Sequence, residues 1–568
     1  MAGDDRAGRP LHLRRHVVAR PWARHVDHAQ GRPAGVVSGL TPHAWRWLHP
    51  NVRSLALSPD GGRTVARLGF LIDQDTCIGC HACTVACKAE HEVPLGVNRT
   101  WVKYIETGTF PNATRQFSVL RCNHCEDAPC VEICPTSALF HRDNGIVDFD
   151  TRSCIGCKSC MNACPYDALY LDPETLTAQK CNFCAHRVDV GLEPSCVVVC
   201  PTQSIVAGDL NDPTSRIARM VARHDVAVRA PEQGTRPKLF YKGADQASLD
   251  PTRTAIAADG MIWAEATAGH PTPPVPDPEH QVARTAYTTA HPAPWGWRVS
   301  TYLVTKAIGA GAMLVAALLV LLGHAGAQAS VGVLAPLIAG AFTALTGVLL
   351  VTDLKQPGRF HFILTRPNWG SWLTRGAVIL AGFAALTAAW FVAGLLDASS
   401  AIEVLAAPTA LLAAATAGYT AYLFAQCEGR DLWQTPLLLP MLLTQAATAG
   451  AAAFTLADVF VTVPGPDAVR WALLGGVLGT GGLIAVELSA RGTRHVELAV
   501  AAMTRGPFAG RFRLAVVAGV VVPAVLMILA LAGVAPTGLA AVAGLVAVAG
   551  LAAYEDAFVR AGQSVPLS

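Results

Sequence analysis

The sequence lacks a long apolar run near its N-terminus and an excess of charge of one sign, and it has few cysteines outside one region. The first two absences each exclude a class of protein. Its first 60 residues contain no apolar run long enough for an export signal, so we expect neither a cleaved signal nor a disulfide-rich secreted protein. The 44 basic residues nearly balance the 41 acidic ones, and a net charge of +3 gives no reason to expect nucleic-acid binding. Only one of the 17 cysteines, Cys427, lies outside residues 77–200, and charges are scarce from about residue 299 onward. The sequence therefore divides into parts with different chemistry.

The sixteen clustered cysteines form four groups of four. The first and third groups share the spacing CxxCxxCxxxC, whereas the second widens the middle gap to four residues and the fourth widens it to eleven. The segments FLIDQDTCIGC and IVDFDTRSCIGC both read as a short strand and an acidic turn before CIGC, so the region is an internal repeat. In chain order the groups are Cys77, Cys80, Cys83, Cys87; Cys122, Cys125, Cys130, Cys134; Cys154, Cys157, Cys160, Cys164; and Cys181, Cys184, Cys196, Cys200.

Iron-sulfur ligation explains this spacing better than zinc or disulfides do. In a CxxCxxC run one tight loop supplies three thiolates to a cluster, and the fourth cysteine, a helical turn further on, points to a different cluster. Structural zinc uses separated CxxC pairs and rarely adds a third cysteine to the same loop. Four complete sets of thiolates predict four [4Fe-4S] clusters in an α+β ferredoxin-like tandem domain over residues 68–210. A row of clusters conducts electrons between distant sites, so this region is predicted to be a wire and not a catalyst.

The order and gaps of the four groups resemble the iron-sulfur subunit of the dimethyl sulfoxide reductase and polysulfide reductase family. The resemblance implies a separate molybdopterin-containing catalytic subunit as the partner. It also implies that the first ligand set below faces that partner and that the last faces the membrane. The implied sets are Cys77, Cys80, Cys83 with Cys200; Cys181, Cys184, Cys196 with Cys87; Cys122, Cys125, Cys130 with Cys164; and Cys154, Cys157, Cys160 with Cys134.

The C-terminal half, residues 297–568, is predicted to be an all-α polytopic membrane domain. About 20 apolar residues cross a hydrocarbon core roughly 30 Å thick, and eight segments are long enough. Residues 211–296 are predicted to be a Pro-rich connector that docks on this anchor, and residues 1–67 a basic extension without fixed structure. The eight segments lie near residues 299–323, 331–353, 374–396, 401–426, 436–456, 467–489, 511–533 and 536–557.

Basic residues collect in the loops on one side of the predicted membrane domain. The opposite loops, GHAGAQAS, LDASSAIE and the turn near Val534, contain no Lys or Arg. By the positive-inside rule both termini, and with them the cluster domain, face the cytoplasmic side of the cell membrane. The basic loops carry Lys355, Arg359, Arg366 and Arg375 after the second segment, and Arg491, Arg494 and Arg505 after the sixth.

Three stretches of the C-terminal half resemble the NrfD/polysulfide reductase membrane subunit. They are TDLKQPGRFHFILTRPNWGSWLTRG, YLFAQCEGRDLWQTPLLLP and the C-terminal VRAGQSVPLS. The resemblance implies an anchor that carries no heme and binds a membrane quinone, menaquinone or ubiquinone, close to the clusters. Histidines are not paired at matching depths in separate segments, which also argues against a bis-histidine heme.

A quinone headgroup needs hydrogen-bond donors and acceptors at membrane depth near the wire. Lys306 is the most suggestive candidate because an ionisable group inside a bilayer is costly and usually has a role. Its position less than two turns from the segment end leaves a second interpretation open, in which the amine reaches the interface. Glu487 is either a proton-path carboxylate or the ion-pair partner of Arg491. The quinone-site candidates are Tyr302, Lys306, Asp353, Arg359, His361, Tyr419 and Tyr422.

These inferences predict an electron-transfer and membrane-anchor subunit that passes electrons between the quinone pool and a molybdopterin enzyme through four clusters. One alternative is a component of a larger quinone-linked respiratory complex, similar to alternative complex III, without a molybdoenzyme partner. Proton translocation in such a complex predicts carboxylates in mid-segment, and the eight predicted segments nearly lack them. Another alternative is a redox-sensing membrane protein, but four complete clusters exceed what a sensor needs.

Overall fold

Short strands and tight turns hold the cysteine-rich part of the protein, and long helices make up the rest. The computed structural model describes residues 65–256, 282–324, 328–490 and 492–568. The predicted basic extension lies outside the described residues except for 65–67, and so do the run PTPPVPDPEH and Arg491. The described residues all belong to one compact unit.

Two four-stranded sheets and two hairpins form the part that precedes the long helices. The first sheet has the order β8-β1-β10-β9 and the second β11-β12-β2-β3, while β4 pairs with β5 and β6 with β7. The strands are β1 (Leu68–Asp73), β2 (Thr100–Thr107), β3 (Thr114–Arg121), β4 (Leu139–His141), β5 (Val147–Phe149), β6 (Leu169–Leu171), β7 (Ala178–Lys180), β8 (Ile205–Asp209), β9 (Val226–Ala227), β10 (Leu239–Lys242), β11 (Thr254–Ile256) and β12 (Ala283–Tyr287).

Part of the predicted connector contributes strands to these sheets. β10 runs parallel to β1, with Phe70 opposite Leu239, and β12 pairs antiparallel with β2. In β10 alternate residues, Leu239 and Tyr241, are buried, which is the pattern of a strand with one face on a core. Residues 65–256 and 282–296 are therefore described together below as the cysteine domain.

Of the seven α-helices that the structure describes in the cysteine domain, the first five begin in or beside the cysteine loops. Before two of them the repeated CIGC turn places Gly79 and Gly156 at φ +68° and +69°. A Cβ at Gly79 would stand 2.3 Å from the ring of Phe117, so this turn needs glycine for space as well as for conformation. The helices are α1 (Ala82–His91), α2 (Pro129–Glu132), α3 (Ser159–Ala163), α4 (Ala185–Val188), α5 (Ser195–Val198), α6 (Arg216–Arg223) and α7 (Gln246–Leu249).

Eight helices of the C-terminal half are long and apolar enough to cross a membrane, which confirms the predicted segments. The last differs most, because it continues to Gly562 instead of ending at residue 557. We call residues 297–568 the anchor. Its spanning helices are α8 (Trp297–Leu321), α9 (Ala335–Asp353), α11 (Trp372–Leu395), α12 (Ser399–Ala425), α13 (Leu438–Ala457), α14 (Pro466–Ser489), α16 with α17 (Ala509–Val516 and Val522–Leu531) and α18 (Pro536–Gly562). A π-helical segment, Gln328–Leu334, precedes α9, and another, Val517–Val521, joins α16 to α17. Two short helices, α10 (Phe362–Thr365) and α15 (Arg494–Thr504), lie in loops.

α8 is the central helix of the anchor. Its apolar window is 83% buried within the protein, against 22% for the second and sixth spans, whose remaining surface suits lipid. Small residues let the neighbouring backbone approach it closely: a Cβ at Gly311 of α8 would stand 1.9 Å from the carbonyl oxygen of Ala446 in α13. Such contacts drive helix association where lipid competes for apolar side chains.

The last residues of the protein lie between the two domains. Arg430, in the loop after α12, donates to the carbonyl oxygen of Val565 at 3.1 Å, and Arg229 of the cysteine domain donates to that of Leu567 at 2.6 Å. The side-chain amide of Gln563 accepts from the backbone N–H of Trp295 and donates to its carbonyl oxygen. The VRAGQSVPLS stretch thus joins the anchor to the cysteine domain through backbone hydrogen bonds.

Replacement of Gly311 by alanine is expected to force α8 and α13 apart. Overpacking of a close contact costs about 1–3 kcal/mol, so Gly311→Ala should lower the thermal unfolding midpoint of the detergent-purified protein clearly. Gly340→Ala is the matched control, because a Cβ at Gly340 of α9 meets no heavy atom within 4 Å. Equal midpoints for the two variants would contradict the close contact.

Candidate functional site

Cysteines from different sequence groups lie together in the cysteine domain. Cys134, from the second group, lines one cavity with Cys154, Cys157 and Cys160 of the third group. Burial raises the pKa of Cys157 to about 12, and Cys134 contributes to the rise. We call these four residues the inner set, and it has the membership that the family resemblance implies.

The other three sets are identified by the neighbours of each thiol. The pKa of Cys77 is raised by burial and by nearby Cys200 and Cys80. The pKa of Cys87 is raised by burial, followed by Cys181, Cys196 and Cys184. The pKa of Cys130 is raised by burial, followed by Cys164, Cys122 and Cys125. We call them the outer set (Cys77, Cys80, Cys83, Cys200), the second set (Cys87, Cys181, Cys184, Cys196) and the third set (Cys122, Cys125, Cys130, Cys164).

The four sets follow one another in a fixed order. Cys83 of the outer set interacts with Cys196 of the second set, and Cys181 of the second set interacts with Cys122 of the third. Cys160 of the inner set then interacts with Cys130 of the third set. At the outer end Cys80 is exposed, whereas Cys160 is buried. The order runs from the protein surface into the interior.

The donor groups around the thiols fit iron-sulfur ligation. All sixteen cysteines are free thiols, and the backbone N–H groups of His124 and Gly156 each point at a cysteine sulfur at 3.4 Å. Hydrogen bonds of this kind stabilise thiolates that ligate clusters.

Arg121 places a buried positive charge among the cysteines. Its side chain is 1% exposed, its Nη1 donates to Cys196 Sγ at 3.0 Å, and its guanidinium lies 4.7 Å from the ring centre of Phe70. Its Nε and Nη2 have no hydrogen-bond partner among the described residues. A cation here favours the more negative, reduced state of a neighbouring cluster.

The inner set contacts the anchor through its backbone. The backbone N–H of Lys355 donates to the carbonyl oxygen of Gly156 at 3.2 Å, and Arg359 donates to that of Cys154 at 2.9 Å. Just before the anchor begins, Trp295 Nε1 donates to the carbonyl oxygen of Cys157 at 3.2 Å. Lys158, next to Cys157, forms a 2.9 Å ion pair with Asp353 at the end of α9. The loop that carries three of the four inner cysteines therefore rests on the anchor.

A stack of aromatic rings lies directly beneath this loop. Trp295, Phe424 and Trp433 have ring centres 4.8 to 5.7 Å apart and nearly parallel planes. Cys427 is fully buried beside the stack, and burial raises its pKa, as does nearby Cys157. The contact region between the domains is thus dry and tightly packed.

Three of the seven predicted quinone-site residues lie together inside the anchor. Lys306 is 2% exposed, its Nζ lies 4.7 Å from the ring centre of Tyr419, and it donates to the carbonyl oxygen of Ala417 at 3.0 Å and to the hydroxyl of Thr420. Tyr302 lies next to Tyr419 and is 4% exposed. Because the Lys306 amine is bonded inside the helix bundle, it does not extend to the membrane interface.

The other four candidates lie elsewhere. Asp353 and Arg359 hold the cysteine domain, through the contacts given above. Tyr422 stacks on Trp372, with ring centres 4.3 Å apart. His361 is exposed and touches the rings of its neighbours Phe360 and Phe362.

Comparisons with known proteins agree with this division of the sequence. The 4Fe-4S dicluster domain models match residues 76–139 and 113–210, and the model of the polysulphide reductase NrfD family matches residues 286–565. The B subunit of tetrathionate reductase from Salmonella typhimurium is 44% identical over 203 residues, which are 35% of this chain and 80% of that protein. The B chain of polysulfide reductase from Wolinella succinogenes is 41% identical over 177 residues, 31% of this chain and 93% of that protein.

The protein belongs to the dimethyl sulfoxide reductase/polysulfide reductase family of iron-sulfur subunits. In this member the iron-sulfur subunit is fused to an NrfD-type membrane anchor, so one multi-pass membrane protein contains both. It is an electron-transfer and membrane-anchor subunit of a reductase. The arsenate respiratory reductase iron-sulfur subunit of a Shewanella species, 35% identical over 95% of its length, is a further relative of the same kind. These relatives do not favour the alternative of a larger respiratory complex without a molybdoenzyme.

Several polar residues of the NrfD-type anchor were missed by sequence reasoning. Glu555 lies inside the predicted eighth segment but was not taken as a site residue, and in the structure it is 3% exposed inside the bundle. Gln445 in α13 is 2% exposed. The sequence signal for Glu555 is a carboxylate, in the stretch YEDAF, within a predicted span.

Glu428 gives the junction between the iron-sulfur domain and the anchor a pH dependence. Burial raises its pKa from 4.5 to about 7, and Glu132 and Asp127 contribute to the rise. Because the folded-state pKa is above the unfolded one, ionisation above pH 7 costs stability, and this cost disappears as the pH falls to about 4.5.

Glu428→Gln is therefore expected to stabilise the protein by about 1–3 kcal/mol near pH 8 and to change little near pH 4.5. Thermal unfolding of the detergent-purified protein at the two pH values measures the difference. Glu403→Gln, an exposed carboxylate near the start of α12, is the control and should have the same small effect at both. A stabilisation by Glu428→Gln that does not depend on pH would contradict the assignment.

Proposed function

We propose that this subunit passes electrons between the membrane quinone pool and a separate molybdopterin-containing catalytic subunit. The sixteen cysteines of the outer, second, third and inner sets would hold four [4Fe-4S] clusters, each supplying one-electron redox chemistry when bound. The observation that carries this proposal is the uninterrupted order of the four sets, from exposed Cys80 to the inner loop seated on the anchor. Substrate chemistry would take place on the partner.

The surface around the outer set supports a protein partner at that end. Ile78, between two outer cysteines, is 56% exposed, and Val85 of α1 is 64% exposed. Exposed apolar side chains beside a redox site favour a docking surface. The relatives named above are reductase subunits, which supports a molybdopterin-containing reductase as the partner.

Inside the anchor, Tyr302, Lys306 and Tyr419 would hold the quinone headgroup. Their amine and hydroxyl groups can donate hydrogen bonds to carbonyl oxygens, and they lie on α8 and α12, close to the aromatic stack below the inner set. A bound menaquinone or ubiquinone would supply two-electron, two-proton chemistry. Tyr422 and His361 remain candidates for contacts with the rest of the quinone molecule.

The anchor is proposed to carry no heme, and the iron-sulfur domain to face the cytoplasm. The bounds of the eight spanning helices enclose no histidine, which supports the first point. The basic loops on the iron-sulfur side, with Lys355, Arg366 and Arg375 among them, support the second.

The test of this function is electron paramagnetic resonance on anaerobically prepared full-length protein in proteoliposomes, before and after addition of menadiol. Reduced-cluster signals after menadiol are expected, because quinol electrons would enter the wire within this one protein. Signals with dithionite but none with menadiol would leave the wire intact and contradict the quinone site. Bound zinc without any cluster signal would contradict the clusters themselves.

Arg121→Gln tests the assignment of the second set. Loss of a buried positive charge beside Cys196 is expected to lower the reduction potential of one cluster by roughly 50–100 mV. Redox titration followed by electron paramagnetic resonance measures the shift. Arg115→Gln, on the same strand β3 but with its side chain 53% exposed, is the control and should leave all potentials unchanged. Identical titrations for both variants would contradict the assignment.

A further inference from the structure

A series of buried polar side chains runs through the anchor apart from the basic loops. Glu487 of α14 is 9% exposed, and Tyr554 and Glu555 of α18 are each 3% exposed. Gln445 of α13 and Lys306 of α8 are each 2% exposed. Ionisable groups at membrane depth are costly, and so many on four neighbouring helices require a purpose beyond packing.

One end of the series opens to the aqueous phase. A cavity of about 440 Å³ lies on the iron-sulfur side of the membrane domain, and Glu487, Arg494, Glu497 and Arg505 line it. Oε1 of Glu487 has no hydrogen-bond partner among the described residues, although the side chain is nine-tenths buried. Its other oxygen, Oε2, accepts from the hydroxyl of Tyr554 at 3.1 Å. Glu487 therefore connects the cavity to the interior of the bundle.

The interior continues through a second, much smaller cavity. It measures about 20 Å³, which is room for one water molecule, and Tyr554, Gln445, Thr448 and Thr480 are among its lining residues. Nε2 of Gln445 and Oγ1 of Thr480 have no hydrogen-bond partner among the described residues, so the cavity offers polar contacts to a water. Polar groups thus follow one another from the surface to the centre of the bundle.

Glu555 connects this region to Lys306. Glu555 follows Tyr554 directly on α18, and α18 packs against both α13, which carries Gln445, and α8, which carries Lys306. Its carboxyl is 3% exposed and interacts with the Lys306 amine. Lys306 in turn contacts Tyr419 and Thr420, at the proposed headgroup position. Asp556, the neighbour of Glu555, faces away and pairs with Arg560 and Arg511, so it is not part of the series.

We propose that Glu487, Tyr554 and Glu555 form a proton path between the aqueous cavity on the iron-sulfur side and Lys306. The inference rests on the proposed function, because Lys306 belongs to the proposed quinone site. A quinol that is oxidised there gives two electrons, one to each of two [4Fe-4S] clusters, and two protons. The protons leave through Glu555, Tyr554 and Glu487, and quinone reduction takes them up by the same route. The sequence left two interpretations of Glu487 open, a proton-path carboxylate or the ion-pair partner of Arg491. The proposal adopts the first, and Arg491 lies outside the described residues.

The first test is stopped-flow reduction of the cluster-loaded, full-length protein in proteoliposomes by menadiol. Glu487→Gln preserves the side-chain size and cannot carry a proton, so cluster reduction is expected to slow by roughly 10- to 100-fold. Reduction by dithionite should be unchanged, which separates a lost path from lost folding or lost clusters. Glu497→Gln is the matched control: it lines the same cavity, its side chain is 55% exposed, and it should react at the unsubstituted rate.

The outcomes separate the path from the function on which it rests. If menadiol fails to reduce the clusters of the unsubstituted protein, the quinone function itself is wrong. If menadiol reduces the unsubstituted and Glu487→Gln proteins at equal rates, the function holds and the path is wrong. Tyr554→Phe should also slow the reaction, because it removes the hydroxyl that joins Glu487 to the interior.

Chemical labelling of carboxyl groups is a second readout, and the labelling itself needs neither clusters nor quinone. Dicyclohexylcarbodiimide modifies carboxyl groups in apolar surroundings, and peptide mass spectrometry locates the modified residue. In membranes we expect the reagent to modify Glu487 of the unsubstituted protein, and we expect no modification at this position in Glu487→Gln. The treated unsubstituted protein should also lose its reaction with menadiol. Full modification of Glu487 without loss of that reaction, or no modification of it, would overturn the path.

Discussion

The seating of one cysteine loop on the anchor is the contact on which the rest of the structure depends. Electron transfer across the junction requires the inner set to stay at a fixed distance from the membrane domain. Backbone carbonyls of Cys154 and Gly156 accept from the Arg359 side chain and the Lys355 N–H of the anchor, and the Lys158–Asp353 ion pair holds the same loop. Most of these bonds use the backbone of the loop, so its side chains remain available as ligands. The low exposure of the region keeps water from competing for the bonds.

The sequence predicted the repeat, the four cysteine groups and the eight spans, because spacing and apolar length are local properties. Pairing of Cys134 with the third group is not local, and only the resemblance to a family indicated it. The strands contributed by residues 211–256 were missed because short β segments such as LFYK acquire their register from β1, far away in sequence. Asp353 and Arg359 looked like quinone ligands from their depth alone, whereas the structure shows that they hold the other domain.

The buried polar groups of the anchor were the least predictable part. Lys306 was identified from its charge, but its partners on α12 and α18 come from helix packing, which depends on contacts such as Gly311 against Ala446. Glu555 lies inside the predicted eighth segment, but the sequence alone does not show that it is buried in the bundle and not at the end of the helix. A charged residue within a span can be identified from the sequence, but the neighbouring residues that give it a role cannot.

The repeated CIGC turn has a consequence for how the two ends of the molecule are related. Ile155, in the turn of the inner set, is 1% exposed against the anchor, whereas Ile78, at the same place in the turn of the outer set, is 56% exposed. Duplication of a two-cluster unit gives a domain with approximate internal symmetry, and hence two equivalent loops at opposite ends. One copy is already covered within this protein. The covered loop therefore shows how this turn packs when it is buried, and the proposed partner would meet the same turn, with the same shape, at Ile78.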